Sequence, residues 1–377
     1  MSRVAVVGGG IAGLSAAWAL AADHDVIVLE AEAELGAHAT GRSAATLSET
    51  SGLRPVCALA RASRSFLEHP PDNFAEHPLT ARRGLLWIGR DGDGPALDQI
   101  AAVAATGVAP TAHRVDPAAV SRLVPALRPD AIAAGGVWEP DALKLDVGGL
   151  LAGFAAAARA RGAKIRRRCA VRELTAWGGQ WTVTSGTGDG DDESVVADVV
   201  VNASGAWGDR VAARAGVEPL GLRPLRRTAC LVPAPGAVAT WPLVMDVAGR
   251  LYFEPEAGGL LLSPADEQPS EPVDAEAEME DVAWALEMLA ETTTLDVRHV
   301  RSSWAGLRTF TTDRLPAVGW DPDAPGFCWL VGQGGAGIKT APAMASAVAS
   351  IVGAAPWPPG LSALGVEANH LSPARLR

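Results

Sequence analysis

Three glycines and one glutamate carry the first chemical pattern in this chain. Gly8, Gly10 and Gly13 follow directly on the apolar run Arg3-Val4-Ala5-Val6-Val7, and a second run, Val26-Ile27-Val28-Leu29, stops at Glu30. The order is strand, glycine turn, helix from Leu14 to Ala22, strand, acid. Gly8 permits the tight turn, Gly10 lets the main chain approach a pyrophosphate, and Gly13 lets helix and strand pack closely. With Ile11 and Ala12 opening the helix, phosphates would sit on its unpaired amides, and Glu30 is placed to accept hydrogen bonds from a ribose diol. The pattern predicts an adenine dinucleotide.

Two later stretches return to the same chemistry. Asp198 to Trp207 reads as a buried strand running into the small residues Ala203 and Gly205, which suits close approach to a cofactor; as an isolated string it equally fits an ordinary central strand. Trp329 to Pro342 again passes from a strand through glycines into a helix, Ala343 to Val352. A second helix N-terminus can set its positive end against a ring that becomes anionic on reduction, which is what a flavin needs. No Ser/His/Asp triad appears, and Cys57, Cys169, Cys230 and Cys328 show neither a CxxC nor a metal spacing, so no metal site is expected and the thiols read as reduced and structural. His24, His69, His113 and His299 read as surface or structural residues.

These residues need a scaffold, and the chain supplies both helices and strands. Helices are predicted over Val56–Phe66, Pro95–Ala105 and Pro117–Leu123 around a strand Leu85–Ile88, then over Val147–Arg161, closed by Gly162. Strands follow at Lys164–Arg167, Val171–Leu174, Trp181–Thr184 and Val195–Asn202, with the acidic tract Gly186–Glu193 as an exposed turn, and a further strand at Arg223–Leu231. At 377 residues the chain exceeds what one core usually fills, so two interleaved domains are expected. The 48% of hydrophobic residues can bury a sizeable interior. A formal net charge of -11 argues against a nucleic-acid partner, and the runs Arg166-Arg167-Arg168 and Arg226-Arg227 are too short to overturn that. The apolar start up to Ala22 is broken by four glycines, which suit a phosphate turn and not a signal helix; no membrane span and a cytoplasmic location are expected.

Taken together, the segments resemble the flavoprotein family of D-amino acid oxidase, glycine oxidase and sarcosine oxidase, and within it the D-arginine dehydrogenases. The resemblance rests on His38 to Ala45, Glu76 to Leu79, Val217 to Leu222, Trp304 to Arg308, Gln333 to Gly335 and Leu371 to Pro373, besides the opening fingerprint. It implies an α/β chain, α+β overall: a glutathione-reductase-like Rossmann domain holding FAD (residues 1–50, 142–222 and 306–377) and an interleaved antiparallel-sheet substrate domain (51–141 and 223–305). By position it implies that Gly8, Gly10, Gly13 and Glu30 hold the ADP half, that Arg42, Ser43 and Ala44 lie along the flavin, and that Val171 meets the adenine end through its backbone. Ala203, Gly205 and Trp207 belong to the same cofactor set, and Gly335, Gly337, Ile338, Lys339 and Thr340 would line the pyrimidine edge of the ring. Arg308 stands where sarcosine oxidase-like relatives tether the flavin to a cysteine, so the FAD is expected to be noncovalent.

For the substrate, the resemblance makes Arg308 the carboxylate ligand, a role its two parallel donors suit. Arg227 matches another pocket residue, and strand alternation lets only one of Arg226 and Arg227 face a ligand; Arg227 is the choice. Tyr252, the sole tyrosine, matches a pocket tyrosine that orients the carboxylate. On residue type alone each of the three reads as a surface arginine or a core tyrosine. Lys339 stands where sarcosine oxidases carry a carboxylate-binding lysine; the other reading is a solvated lysine at a helix start. Departures also matter. The glutamate that grips a guanidinium in D-arginine dehydrogenases falls on Leu85, a pocket tyrosine on Ser51 and a flavin-side histidine on Thr46. A guanidinium facing Leu85 would be unpaired and costly, so a small amino acid with a neutral or apolar side chain is expected.

The expected reaction is oxidative deamination of such an amino acid, D-configured by resemblance, with the Cα hydrogen passing as hydride to flavin N5 and the imino acid hydrolysing to keto acid and ammonia. Oxidation of a secondary amine, to which Lys339 points, and FAD binding without turnover, which the changes at Ser51 and Thr46 permit, are the alternatives. Oxygen and a quinone are both compatible as electron acceptor.

Overall fold

The structure, a computed structural model, describes residues 1–186, 192–234, 236–256 and 258–377. Its organising element is the first strand, Arg3–Val7, whose side chains from Val4 onward are buried, as a central parallel strand covered on both faces requires. It pairs in parallel with Asp25–Leu29 on one side and Val199–Asn202 on the other. The six-stranded sheet is completed by Lys164–Arg166, Phe327–Val331 and an antiparallel edge, Ala317–Trp320. Helices Ile11–Leu20 and Gly337–Val352 pack against each other on one face. Both faces are closed by apolar clusters, Leu14, Val28 and Met344 on one and Val200, Phe327 and Trp329 on the other.

A second, larger mixed sheet runs Gln268–Pro269, Arg223–Pro233, Gly259–Ser263, Tyr252–Glu256, Leu243–Asp246, Leu85–Ile88, Gly136–Glu139 and His113–Val115, with Ser302–Phe310 paired alongside Arg223–Pro233. All its neighbouring strands are antiparallel except Leu243–Asp246 against Leu85–Ile88. The mixed α/β class follows, with a Rossmann-like sheet and a separate predominantly antiparallel one. Strands from early, middle and late chain alternate between the two sheets, so the polypeptide crosses between them several times.

Most sequence-expected elements recur with shifted ends. Leu85–Ile88 and Pro117–Leu123 lie where expected, and Val147–Ala160 is capped by the Asp146 carboxylate, which accepts from Gly149 N at 2.9 Å. The helix expected over Ala343–Val352 begins at Gly337 and carries Pro342 in its interior, so the proline does not mark its start. The single strand expected over Val195–Asn202 is two. Glu193–Ala197 pairs with Gln180–Gly186 in a small three-stranded sheet, whereas Val199–Asn202 enters the central one. Asp198 is the switch: its amide donates to Arg3 O at 2.8 Å and its carboxylate accepts from Arg3 N at 2.8 Å. The acidic turn expected over Gly186–Glu193 lies mostly outside the described residues; its end residues Gly186 and Glu193 are in strands. Arg166, Arg167 and Arg168 are exposed, and no helix among the described residues is long and apolar enough to cross a membrane.

Candidate functional site

The carboxyl ends of the central strands open on a continuous series of three grooves. The first lies over the opening turn and is lined by Gly8, Gly10, Glu30, Val171, Ala203, Gly205 and Trp207. Its floor is backbone. Gly8 holds φ at +110°, where a Cβ would lie 2.6 Å from Ala203 O, and a Cβ on Gly13 would lie 1.9 Å from Gly8 O. Gly13 lines none of the three grooves; its part is the close packing of helix on strand. Glu30 accepts from Gly9 N at 2.5 Å and Glu32 N at 2.7 Å, which leaves about half of a carboxylate's roughly four acceptor positions for a ligand. The Val171 carbonyl already accepts from the Arg214 guanidinium. Thr40, which the motif reading missed, lines the same groove and takes the Ile11 amide on its Oγ1 at 3.1 Å.

The second groove continues from Gly10 along Ile11, Ala12, Arg42, Ser43 and Ala44 to Gly335 and then to Gly337 and Ile338, which open helix Gly337–Val352. Arg42 reaches away from it, donating to Ala275 O at 2.6 Å and Ala305 O at 2.9 Å and pairing with Asp274. Thr340 is a correction to the expected ring contact: its side chain is fully buried, its Oγ1 donates to Ala336 O at 2.9 Å, and it lines none of the three grooves.

Strand register decides which arginines reach this groove. Arg227 lies opposite Gly306 and Leu225 opposite Arg308, so Arg227 and Arg308 share one face while Arg226 takes the other. Arg226 pairs with Glu278 and Asp281 at the start of helix Met279–Thr292. Arg227 is held by Asp266 O at 2.5 Å and Glu267 Oε1 at 3.4 Å and lines the second groove alone, whereas Arg308 and Tyr252 line both the second and the third. Each guanidinium carbon lies 5.9 Å from the Tyr252 ring centre, and Arg308 Nη2 is 3.5 Å from the phenolic oxygen. Burial first, then the Arg308 charge, push the Arg227 guanidinium down to about 10. Two like charges held around one ring form a site that an anion would relieve.

The third groove is a cavity of about 270 Å³. Leu85, Trp87, Leu243 and Met245 wall it from the large sheet; Thr46, Ser48 and Ser51 face them with Lys339 and Arg308. At its mouth Arg314 pairs with Glu267 through contacts of 3.0 and 2.8 Å and stacks on Phe310 at 3.8 Å. Lys339 points inward and is 5% exposed, which excludes the solvated reading. Its Nζ donates to Ser48 O at 2.9 Å, Ser51 O at 2.7 Å and Ser51 Oγ at 2.6 Å, so all three of its protons are taken.

Behind Ser48 and Thr50 lies a buried polar network that sequence reading missed. Glu139, 1% exposed, accepts from Glu49 N at 2.7 Å, Ser48 Oγ at 2.8 Å and Thr50 Oγ1 at 2.5 Å, and Trp87 Nε1 donates to Thr50 Oγ1 at 2.9 Å. Burial pushes the Glu139 carboxyl up and the Lys339 ammonium down, and the attraction between them opposes both shifts. Glu254, two residues from Tyr252 and fully buried, pairs with Lys144 at 2.6 Å. All four cysteines are buried free thiols, and no cluster suited to a metal ion occurs among the described residues.

Comparison with known proteins bears on what these grooves hold. The model of the DAO family, FAD dependent oxidoreductases, matches residues 3–351. Glycine oxidase from Geobacillus kaustophilus (strain HTA426) is 25% identical over 361 residues, 93% of this chain and 92% of that protein. The crystal structure of glycine oxidase from G. kaustophilus covers 94% of this chain and 96% of its own at a TM-score of 0.82 and 24% identity. L-Proline dehydrogenase from P. horikoshii shares the fold at a TM-score of 0.86 and 20% identity, over 99% of this chain and 97% of its own. FAD-dependent oxidoreductase domain-containing protein 1 of Xenopus laevis is 27% identical over 180 residues; the match spans 43% of this chain and only 36% of that relative's length.

Proposed function

Because the chain belongs to the DAO family of FAD-dependent oxidoreductases and FAD is its cofactor, we propose that it oxidises a small amino acid, D-configured and neutral or apolar in its side chain, to the imino acid. Arg308 carries this reading. It lines both the middle groove and the cavity, beside Tyr252 and close to Arg227, whose guanidinium stays below its usual range even with Asp266 and Glu267 as partners. In this reading Gly8, Gly10, Ile11, Ala12 and Glu30 hold the ADP half and Gly335, Gly337 and Ile338 border the ring, where the start of a sixteen-residue helix favours negative charge. The groove floor of Gly8, held at φ +110°, and Gly10 presents backbone with no side chain, which supports the fit of a pyrophosphate. Arg308 stands at the tethering position of sarcosine oxidase-like relatives, and of the four cysteines only Cys169 lines a groove, at the far end, which supports noncovalent FAD.

Bound FAD supplies the two-electron acceptor for the Cα hydrogen. The chain's own part is positioning. The Arg308 fork and the Tyr252 hydroxyl receive the carboxylate, while Leu85, Trp87, Leu243 and Met245 exclude water around the side chain. No side chain is needed to take a proton from Cα, since the neutral amine's lone pair drives hydride loss. Leu85 offers no countercharge, and a cavity of about 270 Å³ lies below the roughly 300–1,000 Å³ usual for drug-sized ligands, which supports a small substrate. The glycine oxidase relative acts, by its name, on an amino acid and supports the same class. The secondary-amine reading loses its particular support, because Lys339 has no proton left for a carboxylate. An anaerobic screen of D-, L- and N-methyl amino acids for bleaching of the flavin band tests the proposal. Bleaching by a D-amino acid with release of ammonia and keto acid is expected; primary amine plus aldehyde, or no bleaching by any amine, would refute it.

A further inference from the structure

Lys339 and Ser51 form a unit whose chemistry the reading above leaves unassigned. The lysine has three donors and no acceptor, and all three are spent on Ser48 O, Ser51 O and Ser51 Oγ. To touch a ligand directly it would have to release one of these oxygens, of which the Ser48 carbonyl is buried and the Ser51 carbonyl part-buried. Ser51 is placed differently. Its oxygen receives the lysine's proton at 2.6 Å, so its own O–H must point away from Nζ, and it makes no other hydrogen bond among the described residues. The residue lines the cavity with Arg308 and Tyr252. A hydroxyl that accepts from an ammonium is a stronger donor than an isolated one, because hydrogen bonds in series polarise each other.

Resting on the proposal that a substrate carboxylate sits at Arg308, we infer that the Ser51 hydroxyl is a further carboxylate donor and that Lys339 is its positioning residue, delivering positive charge to the cavity through Ser51 without touching the substrate. The arrangement resolves the apparent oddity of a lysine buried beside a polar pocket yet fully saturated. Burial pushes its ammonium down, while the Cys57, Glu139 and Glu49 groups around it push the other way.

The test uses the FAD-loaded protein, with flavin absorbance titrated by propionate, a small carboxylate that cannot be oxidised at an amine, and by propionamide as the uncharged control. Ser51→Ala should weaken propionate binding about tenfold or more, the loss of one charge-assisted hydrogen bond, and leave propionamide nearly unchanged. Ser51→Thr, which keeps the hydroxyl, should restore binding. Lys339→Met should weaken propionate too, and the double variant should bind no worse than the weaker single one, since the two residues act in series. Multiplicative losses, or a loss in Lys339→Met with none in Ser51→Ala, would overturn the inference in favour of a direct lysine contact. Should Lys339→Met fail to retain FAD, the Ser51→Ala and Ser51→Thr pair decides alone, through loss and rescue. Arg308→Met separates the layers. If it leaves propionate binding intact, the carboxylate reading has failed; if it abolishes binding while Ser51→Ala does not, only the present inference has.

Discussion

Gly13→Ala puts the cofactor account at risk through one methyl group. The added Cβ would sit 1.9 Å from Gly8 O, an atom of the main chain that no rotamer change can move aside. Reaching even a tight contact of 3.0 Å requires helix Ile11–Leu20 and the opening turn to separate by at least about 1 Å. A hydrogen bond near 2.9 Å lengthened by that amount is no longer one. Each charge-assisted bond from the turn to a phosphate is worth about 1.5–3 kcal/mol, so FAD affinity should fall roughly 10- to 150-fold. Overpacking should cost the apoprotein about 1–3 kcal/mol besides. Gly94→Ala is the control, because a Cβ there meets nothing within 4 Å. The assay is FAD titration into apoprotein by flavin fluorescence, with urea unfolding in parallel. Wild-type FAD affinity in Gly13→Ala would refute the assignment of the opening turn as the pyrophosphate cradle.

Three further outcomes are expected. Glu139→Leu strands the Ser48 and Thr50 hydroxyls and the Glu49 amide and removes the nearby counter-charge of Lys339; unfolding stability in urea should fall by about 3–5 kcal/mol, with Glu139→Gln intermediate. Asp321 accepts from Trp329 Nε1 at 2.9 Å, Asp323 N at 3.0 Å and Arg377 Nη2 at 2.5 Å; although burial opposes it, these donors hold its carboxyl below the usual range. A folded-state value below the unfolded one gives stability that is present above about pH 4 and lost as pH falls through the folded value, so wild type and Asp321→Asn should differ by about 1–3 kcal/mol at neutral pH and converge in acid. Acid precipitation of the yellow protein should leave its flavin in the supernatant; colour retained in the pellet would mean a covalent link and contradict the placement of Arg308.

Where signals were local, the sequence was sufficient. The opening strand, turn and helix and the glycine run before helix Gly337–Val352 each declare themselves within about a dozen residues, because turn chemistry and apolar runs depend on near neighbours. The break at Asp198 is hidden for the same reason: apart from Asp198 itself the run Val195–Val201 is apolar, one aspartate does not end a strand pattern, and only pairing with two different sheets divides it. Alternation along Arg223–Pro233 was enough to separate Arg226 from Arg227. The same period of two would have flagged Glu254 beside Tyr252. Nothing local announces Glu139, whose partners Ser48, Glu49 and Thr50 lie about ninety residues away, nor the direction of Lys339, set by a segment nearly three hundred residues earlier. The resemblance puts Thr340 at the ring by position, whereas the helix register turns its hydroxyl back to Ala336.

The placement of a substrate carboxylate at Arg308 can be tested by anaerobic flavin reduction with D-alanine and with ethylamine, the same amine without its carboxylate, in wild type and Arg308→Met. Wild type should reduce with D-alanine far faster than with ethylamine, and in Arg308→Met that preference should collapse through slower reaction with the acid alone. Equal rates in wild type, or an undiminished preference in the variant, would contradict it.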